Sequence, residues 1–179
     1  MTLRNPLGQV IEPGVLRIER TLPAPVERVW AYLVDPDKRA TWLAGGTMAR
    51  EPGGVFELRF EHTRLSDEEA PERFAAYREP HLQKSRLVRM EAPRLLTISW
   101  GNETDAASEV TFELTAKGDN ATQLVLTHRR LPDRKETLSV AGGWHAHLDV
   151  LDDLVHGRKP AGFWTNLEAV EKAYEAQLR

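Results

Sequence analysis

The chain has 179 residues, 41% of them apolar and 28% charged, which is the composition of one globular domain and excludes a disordered or fibrous chain. Lys and Arg total 24 against 27 Asp and Glu, and a net charge of −3 provides no whole-chain attraction to nucleic acid or an anionic membrane. The absence of cysteine excludes disulfides, thiolate nucleophiles, iron–sulfur clusters and cysteine-based zinc sites, and it fits a reducing compartment.

Residues 1–14 read as an irregular lead-in broken by Pro6, Gly8, Pro13 and Gly14, with no apolar signal segment. No apolar run reaches the ~18 residues of a membrane-spanning helix, so a soluble cytoplasmic protein is expected. Alternation then begins, with Leu16, Ile18 and Leu22 on one face of a strand. After Pro23-Ala24-Pro25, the spacing of Val26, Val29, Trp30 and Leu33 predicts a short amphipathic helix. Asp35-Pro36 predicts a second one, capped by Asp35 and running through Trp42.

Strands are expected over 47–50, 55–62, 85–91, 95–100, 109–116 and 122–130. Lys117-Gly118-Asp119-Asn120 is the hairpin signal between the last two. Between the second and third, Ser66 to Pro80 is acidic, and Ser66 with Glu69 matches a capping box, so a short exposed helix or loop is expected. The last third is helical. Val140, Trp144, Leu148, Leu151 and Val155 define one amphipathic helix, Gly157 ends it, and Phe163, Leu167, Val170 and Tyr174 define another. A meandering sheet with helices at its ends argues an α+β fold with an antiparallel sheet of about six to seven strands.

The order and spacing of several short motifs resemble the SRPBCC superfamily, whose helix-grip fold is shared by START lipid-transfer domains and the birch-pollen allergens. The residues that carry the likeness are Pro23-Ala24-Pro25-Val26-Glu27-Arg28-Val29-Trp30, Asp35-Pro36, Trp42, Pro52-Gly53-Gly54-Val55-Phe56, Ala92-Pro93-Arg94-Leu95-Leu96 with Trp100, Thr122 to His128, and Gly142-Gly143-Trp144. Within the superfamily they are most similar to the branch related to the C-terminal domain of the activator of the heat-shock chaperone ATPase. The resemblance implies a curved sheet wrapped around a long C-terminal helix, with the two short helices after the first strand. It implies a helix-grip domain over 15–157 with a helical tail, 158–179, packed on the same domain. Ser66 to Pro80 is longer than the family's usual link, and Ser85 stands where a family glycine is expected.

The resemblance also implies a cavity between sheet and helix. Relatives hold sterols, lipids, aromatic polyketides or plant hormones there, and a minority catalyse cyclisation or dehydration. The expected cavity residues are Trp42, Phe56, Leu58, Phe60, Trp100, Phe112, Leu126, His128, Trp144, His147 and Leu151. His147 shares the inward stripe of the long helix with Trp144 and Leu151, and His128 shares a strand face with Leu126. These two histidines are the candidates for acid–base chemistry, and no catalytic set is assigned.

His145, Asp149, Asp152 and His156 recur along a second helical face and read as a solvated stripe, spread too far along the helix to hold one metal. Asp152-Asp153 reads as surface charge. No nucleophile elbow, phosphate loop or dinucleotide fingerprint is present, and no metal or cofactor is expected. The expectation is a binding protein for a small apolar or aromatic ligand, with no nucleic-acid partner and no membrane insertion. The alternatives are a cyclase- or hydrolase-like enzyme using a cavity histidine, and a chaperone-type adaptor that docks a protein partner.

Overall fold

A computed structural model describes residues 2–178. Gln9–Glu12, expected as irregular lead-in, form an edge strand, β1, antiparallel to β2 (Val15–Leu22). Pro13 and Gly14, the latter at φ 77°, make the turn between them. On β2 the buried face is Leu16, Ile18, Arg20 and Leu22, so a guanidinium sits in line with the apolar residues.

Helix α1 (Val26–Val34) buries Val29 and Leu33. Helix α2 (Pro36–Arg39) starts as its sequence demands: Asp35 Oδ1 accepts from the Asp37 amide at 2.9 Å, and Pro36 takes the first helical position. It ends at Arg39, short of the expected Trp42. The Arg39 side chain folds back and donates to the carbonyls of Ala44 (2.8 Å), Gly45 (2.8 Å) and Thr47 (2.7 Å), which closes the following loop around it. The strand expected over 47–50 is instead β3 (Gly45–Gly46). Gly46, at φ 97°, turns the chain away after two paired residues.

The remaining strands are β4 (Val55–Phe60), β5 (His81–Glu91), β6 (Leu95–Trp100), β7 (Ser108–Ala116) and β8 (Thr122–Arg129). All neighbours pair antiparallel in the order β1-β2-β8-β7-β6-β5-β4-β3, a curved eight-stranded sheet against the six to seven expected. Helix α3 (Arg134–Val155) lies along the concave face, its first turn capped by Asp133, which accepts from the Glu136 amide at 2.8 Å. Helix α4 (Phe163–Gln177) packs against α3. This is the helix-grip α+β fold that the sequence implied. Leu148 and Leu151 of α3, and Trp42, Phe112, Leu124 and Leu126, are fully or almost fully buried. Each such side chain contributes roughly 1.5–3 kcal/mol of transfer free energy.

Two departures from ideal geometry position the site. Strand β5 changes partners: residues 81–86 pair with β4, residues 87–91 pair with β6, and a bulge separates Leu87 from Arg89. The first half of β5 therefore peels away from the end of β6, where Trp100 stands. The Ser66–Pro80 segment follows a 3-10 turn at His62–Arg64 and carries a short 3-10 helix at Glu72–Arg78, but Ser66 does not cap it; the segment docks on the start of α4 instead. Ser66 Oγ accepts from the Phe163 amide at 3.0 Å, and Glu68 accepts from the Thr165 amide at 2.9 Å and from its hydroxyl. The residue that caps α4 is Gly162, which has no side chain, so Ser66 and Glu68 take over that task from a distant segment.

Candidate functional site

Where β5 leaves β6 a cavity of about 240 Å³ remains. Its walls come from every layer. The β4–β5 ladder places Phe60 opposite His81 and Leu58 opposite Gln83, and His81 stacks on Phe60 with ring centroids 4.9 Å apart. His62 follows directly in the 3-10 turn after β4, and Phe74 and Tyr77 come from the second turn. Trp100 closes one side against Trp144, at 4.6 Å between centroids. Helix α3 contributes Val140, Gly143, Trp144 and His147, one face at i, i+3, i+4 and i+7. The first turns of α4 contribute Phe163, Trp164 and Leu167. The exposed Glu136 and Ser139 of α3 mark where the cavity meets solvent.

Of the residues expected from the sequence, Phe60, Trp100, Trp144 and His147 line this cavity. Trp42, Phe56, Leu58 and Phe112 instead surround a gap of only about 10 Å³ with Leu33, Arg39, Leu96 and Ile98, which is filled core. Leu126, Leu151 and His128 are wholly buried and reach neither space. The reason is volume: on that end of the concave face every inward position carries a large side chain, and close packing leaves no room. His62, His81, Gln83, Phe74 and Tyr77 were not foreseen. The polar inward positions of β5 obscured its alternation, and the turns 62–78 carry no periodic signal.

The two candidate histidines have different surroundings. His128 is saturated: Trp144 Nε1 donates to its Nδ1 at 3.0 Å, and its Nε2 lies 2.8 Å from Ser108 Oγ. Burial lowers its pKa to about 4. His147 uses Nδ1 on the Trp42 carbonyl at 2.8 Å and has no second partner among the described residues. Burial lowers its pKa to about 4 as well. His62 is lowered further, to about 3, by burial and then by the neighbouring His147 and His81. Its ring centroid lies 5.6 Å from that of His147 and 6.0 Å from that of His81, and its Nδ1 is buried without a partner. At neutral pH the cavity therefore presents uncharged imidazoles. Among the described residues no group of three or more His, Asp or Glu has the geometry to hold a metal ion.

The second face of α3 is exposed only at His156. His145, Asp149, Asp152 and Asp153 are all buried, because the N-terminal segment and α4 cover them. Asp149 accepts from Asn5 Nδ2 at 2.7 Å and Asn166 Nδ2 at 2.8 Å and lies 3.9 Å from the buried Arg20. Arg4 reaches Asp153 at 2.6 Å, and Arg158 holds Asp152 and Asp153 at 3.2 and 3.0 Å. Tyr174 Oη accepts from the Gly8 amide at 2.8 Å and lies 3.1 Å from His145 Nδ1. A charge pattern that would suit a solvated helix is here a polar seam between α3, α4, β2 and the chain's start. At the end of β8, Arg129 lies 3.9 Å from Glu12, and the following Arg130 lies 3.0 Å from Glu109.

No helix among the described residues is long and apolar enough to cross a membrane. No curated protein matches the chain significantly. Among solved structures, the solution structure of the protein encoded by BPP1335 of Bordetella parapertussis is 48% identical, with 98% of this chain and 94% of that one aligned at a TM-score of 0.82. CalU16 of Micromonospora echinospora is 25% identical over 95% of this chain and 93% of its own, at a TM-score of 0.66. DynU16, from the dynemicin biosynthetic locus, shares the fold at 20% identity and a TM-score of 0.62, over 82% of this chain and 49% of its own. The profile of the activator of Hsp90 ATPase homolog 1-like proteins matches residues 23–156, and the chain belongs to that family, a branch of the SRPBCC helix-grip fold.

Proposed function

We propose that this protein binds a small aromatic molecule in the cavity between β5, α3 and α4. The observation that supports the reading is the lining itself: Phe60, Phe74, Tyr77, Trp100, Trp144, Phe163 and Trp164 converge on one space of about 240 Å³. Drug-sized ligands occupy about 300–1,000 Å³, so the occupant is small, on the scale of one or two fused rings. Binding is favoured over catalysis because the histidines of the cavity are weak bases. An imidazole held at about 4 takes up a proton poorly at neutral pH, where an efficient general base has a pKa near the working pH. The adaptor reading has less support. The exposed Val55 and Leu82 on the outer sheet face each stand opposite an arginine, Arg86 and Arg59, so the ladder interleaves apolar with charged positions.

Native mass spectrometry of protein purified from its own host, beside the same sample denatured, tests the reading. A discrete extra mass, lost on denaturation, is expected. It should also be absent from a Gly143→Leu variant, whose side chain grows into open space at the cavity wall. A clean apo mass, together with unchanged tryptophan fluorescence on titration with 2-methoxynaphthalene, would remove the proposal.

A further inference from the structure

We infer that this cavity rejects anionic ligands and selects, among neutral or cationic aromatic molecules, those that donate a hydrogen bond to Nε2 of His147. The inference rests on the cavity being the ligand site.

The tautomer of His147 follows from geometry. A carbonyl oxygen only accepts, so Nδ1, 2.8 Å from the Trp42 oxygen, carries the ring proton. A neutral imidazole has one N–H, which leaves Nε2 as a bare lone pair. No described residue donates to it, and it is not among the occluded polar atoms, so it is accessible on a ring that lines the cavity. Burial keeps the ring neutral at physiological pH. The hydrogen bond to Trp42 also holds the ring orientation, because Trp42 is itself pinned by its indole nitrogen to the Tyr32 carbonyl at 2.8 Å. His147 is thus a fixed acceptor awaiting a donor.

Two residues of the same lining also carry polar atoms without a protein partner, His62 Nδ1 and Gln83 Nε2, but both atoms are occluded. Buried polar groups in folded proteins are nearly always satisfied, and the accessible Nε2 of His147 is the one a ligand reaches.

The charge complement gives the second half of the inference. Among the described residues no Lys or Arg lines the cavity. Its ionised groups are carboxylates: Glu136 at the mouth, and Glu171, which is paired with Arg73 outside. A carboxylate ligand would leave water to meet aromatic faces, uncharged imidazoles and glutamate. One amide donor from Gln83 does not offset the desolvation of a full charge. A phenol-type hydroxyl brings no full charge to desolvate, and for a protonated amine the aromatic walls and the two carboxylates offset part of the cost.

Three probes of one ring system separate these terms: 2-naphthol, 2-methoxynaphthalene and 2-naphthoate, titrated at pH 7.5 by calorimetry or tryptophan quenching. The expected order is 2-naphthol about tenfold tighter than 2-methoxynaphthalene, the scale of one well-placed hydrogen bond, with 2-naphthoate showing no measurable binding. Equal binding of naphthol and its methyl ether would overturn the donor requirement, and naphthoate bound as tightly as naphthol would overturn the charge selection. Either result leaves the aromatic-cavity reading standing. Failure of all three probes to bind, together with a clean apo mass of the host-purified protein, would instead remove that reading and the inference with it. His147→Phe should retain 2-methoxynaphthalene and lose the preference for naphthol. A folded variant that keeps the preference would show that His147 is not the acceptor, and should the variant not fold, the wild-type comparison decides alone.

Discussion

Trp144 Nε1 donates a 3.0 Å hydrogen bond to Nδ1 of His128, so a buried histidine with no access to the cavity sets the plane of a tryptophan that forms its wall. With Nδ1 accepting, the proton of the neutral ring sits on Nε2 and is directed to Ser108 Oγ at 2.8 Å. His128 acts through Trp144 and is a positioning residue.

Replacing His128 by Phe should therefore cost stability and cavity order together. It leaves the Trp144 N–H buried without a partner and removes the bond to Ser108, a loss of about 2–4 kcal/mol from two broken hydrogen bonds. Urea denaturation followed by fluorescence measures the loss. His128→Gln, which keeps an acceptor within the same strand face, should recover part of it. A His128→Phe protein as stable as wild type would contradict the assigned network.

Acid should destabilise the fold through its buried histidines. His62, His128 and His147 have folded pKa values of about 3, 4 and 4 against an ordinary 6.5. The unfolded chain binds protons first. Their contribution is complete above about pH 6.5 and is lost as pH falls from there towards 4. Each histidine adds a slope of about 1.4 kcal/mol per pH unit within that window. Urea midpoints at pH 7.5, 6.0 and 5.0 measure it, and His147→Gln should reduce the slope by one proton's share. A flat profile between pH 7 and 5 would show that these rings are not held neutral by burial.

The seam under α4 should be sensitive to the loss of one partner and tolerant of the loss of two. Asp149→Ala removes the acceptor of Asn5 and Asn166 and leaves Arg20, buried on the sheet face, without its nearby carboxylate. The expected cost is about 3–5 kcal/mol. Arg20→Met in the same protein should restore a large part, because the uncompensated charge is then gone. Chemical denaturation of the single and double variants gives the coupling, and additive effects would mean that Arg20 and Asp149 do not interact.

The adjacent glycines of α3 should respond oppositely. A Cβ on Gly143 meets nothing within 4 Å, whereas one on Gly142 meets Glu171 Cγ at 3.1 Å and Leu167 Cδ1 at 3.6 Å. Gly143→Ala should gain roughly the 1 kcal/mol that alanine brings to a helix interior. Gly142→Ala should forfeit that gain by pressing on α4, the helix that carries Trp164. Thermal melts of the two variants compare them directly, and an equal gain at both sites would show that α3 and α4 are not in close contact there.

The order of elements was legible in the chain because its signals are local. The alternation of Leu16, Ile18 and Leu22, the Asp35-Pro36 helix start, the Lys117 to Asn120 turn and the inward stripe from Val140 to Val155 each arise from residues a few positions apart. They were sufficient for an α+β fold with an antiparallel sheet, and the helix-grip arrangement came from the resemblance to the SRPBCC superfamily. Local patterns were less informative where polar residues face inward. Strand β5 was expected from Ser85 because His81 and Gln83, both cavity residues, break its apolar alternation. Arg20 stood on the buried face of β2 in plain view, and its need for a buried carboxylate was the sign that part of α3 would not meet solvent.

The location of the cavity and the state of the second α3 face depended on segments far apart in sequence. Trp42, Phe56, Leu58 and Phe112 have the composition of a ligand pocket, yet close packing of distant strands leaves only about 10 Å³ between them. The open space appears where β5 changes partners and the tail helix covers the gap. His145, Asp149 and Asp152 carry the spacing of an exposed helix and are buried because α4, the N-terminal segment and Arg20 bring compensating donors to them. Sequence by itself determined the elements and their order, since backbone propensity and periodicity act over short range. Which faces meet, which side chains are left facing empty space, and which charges find partners were decided only by the tertiary packing, because those depend on volumes and distances between residues the chain does not place side by side.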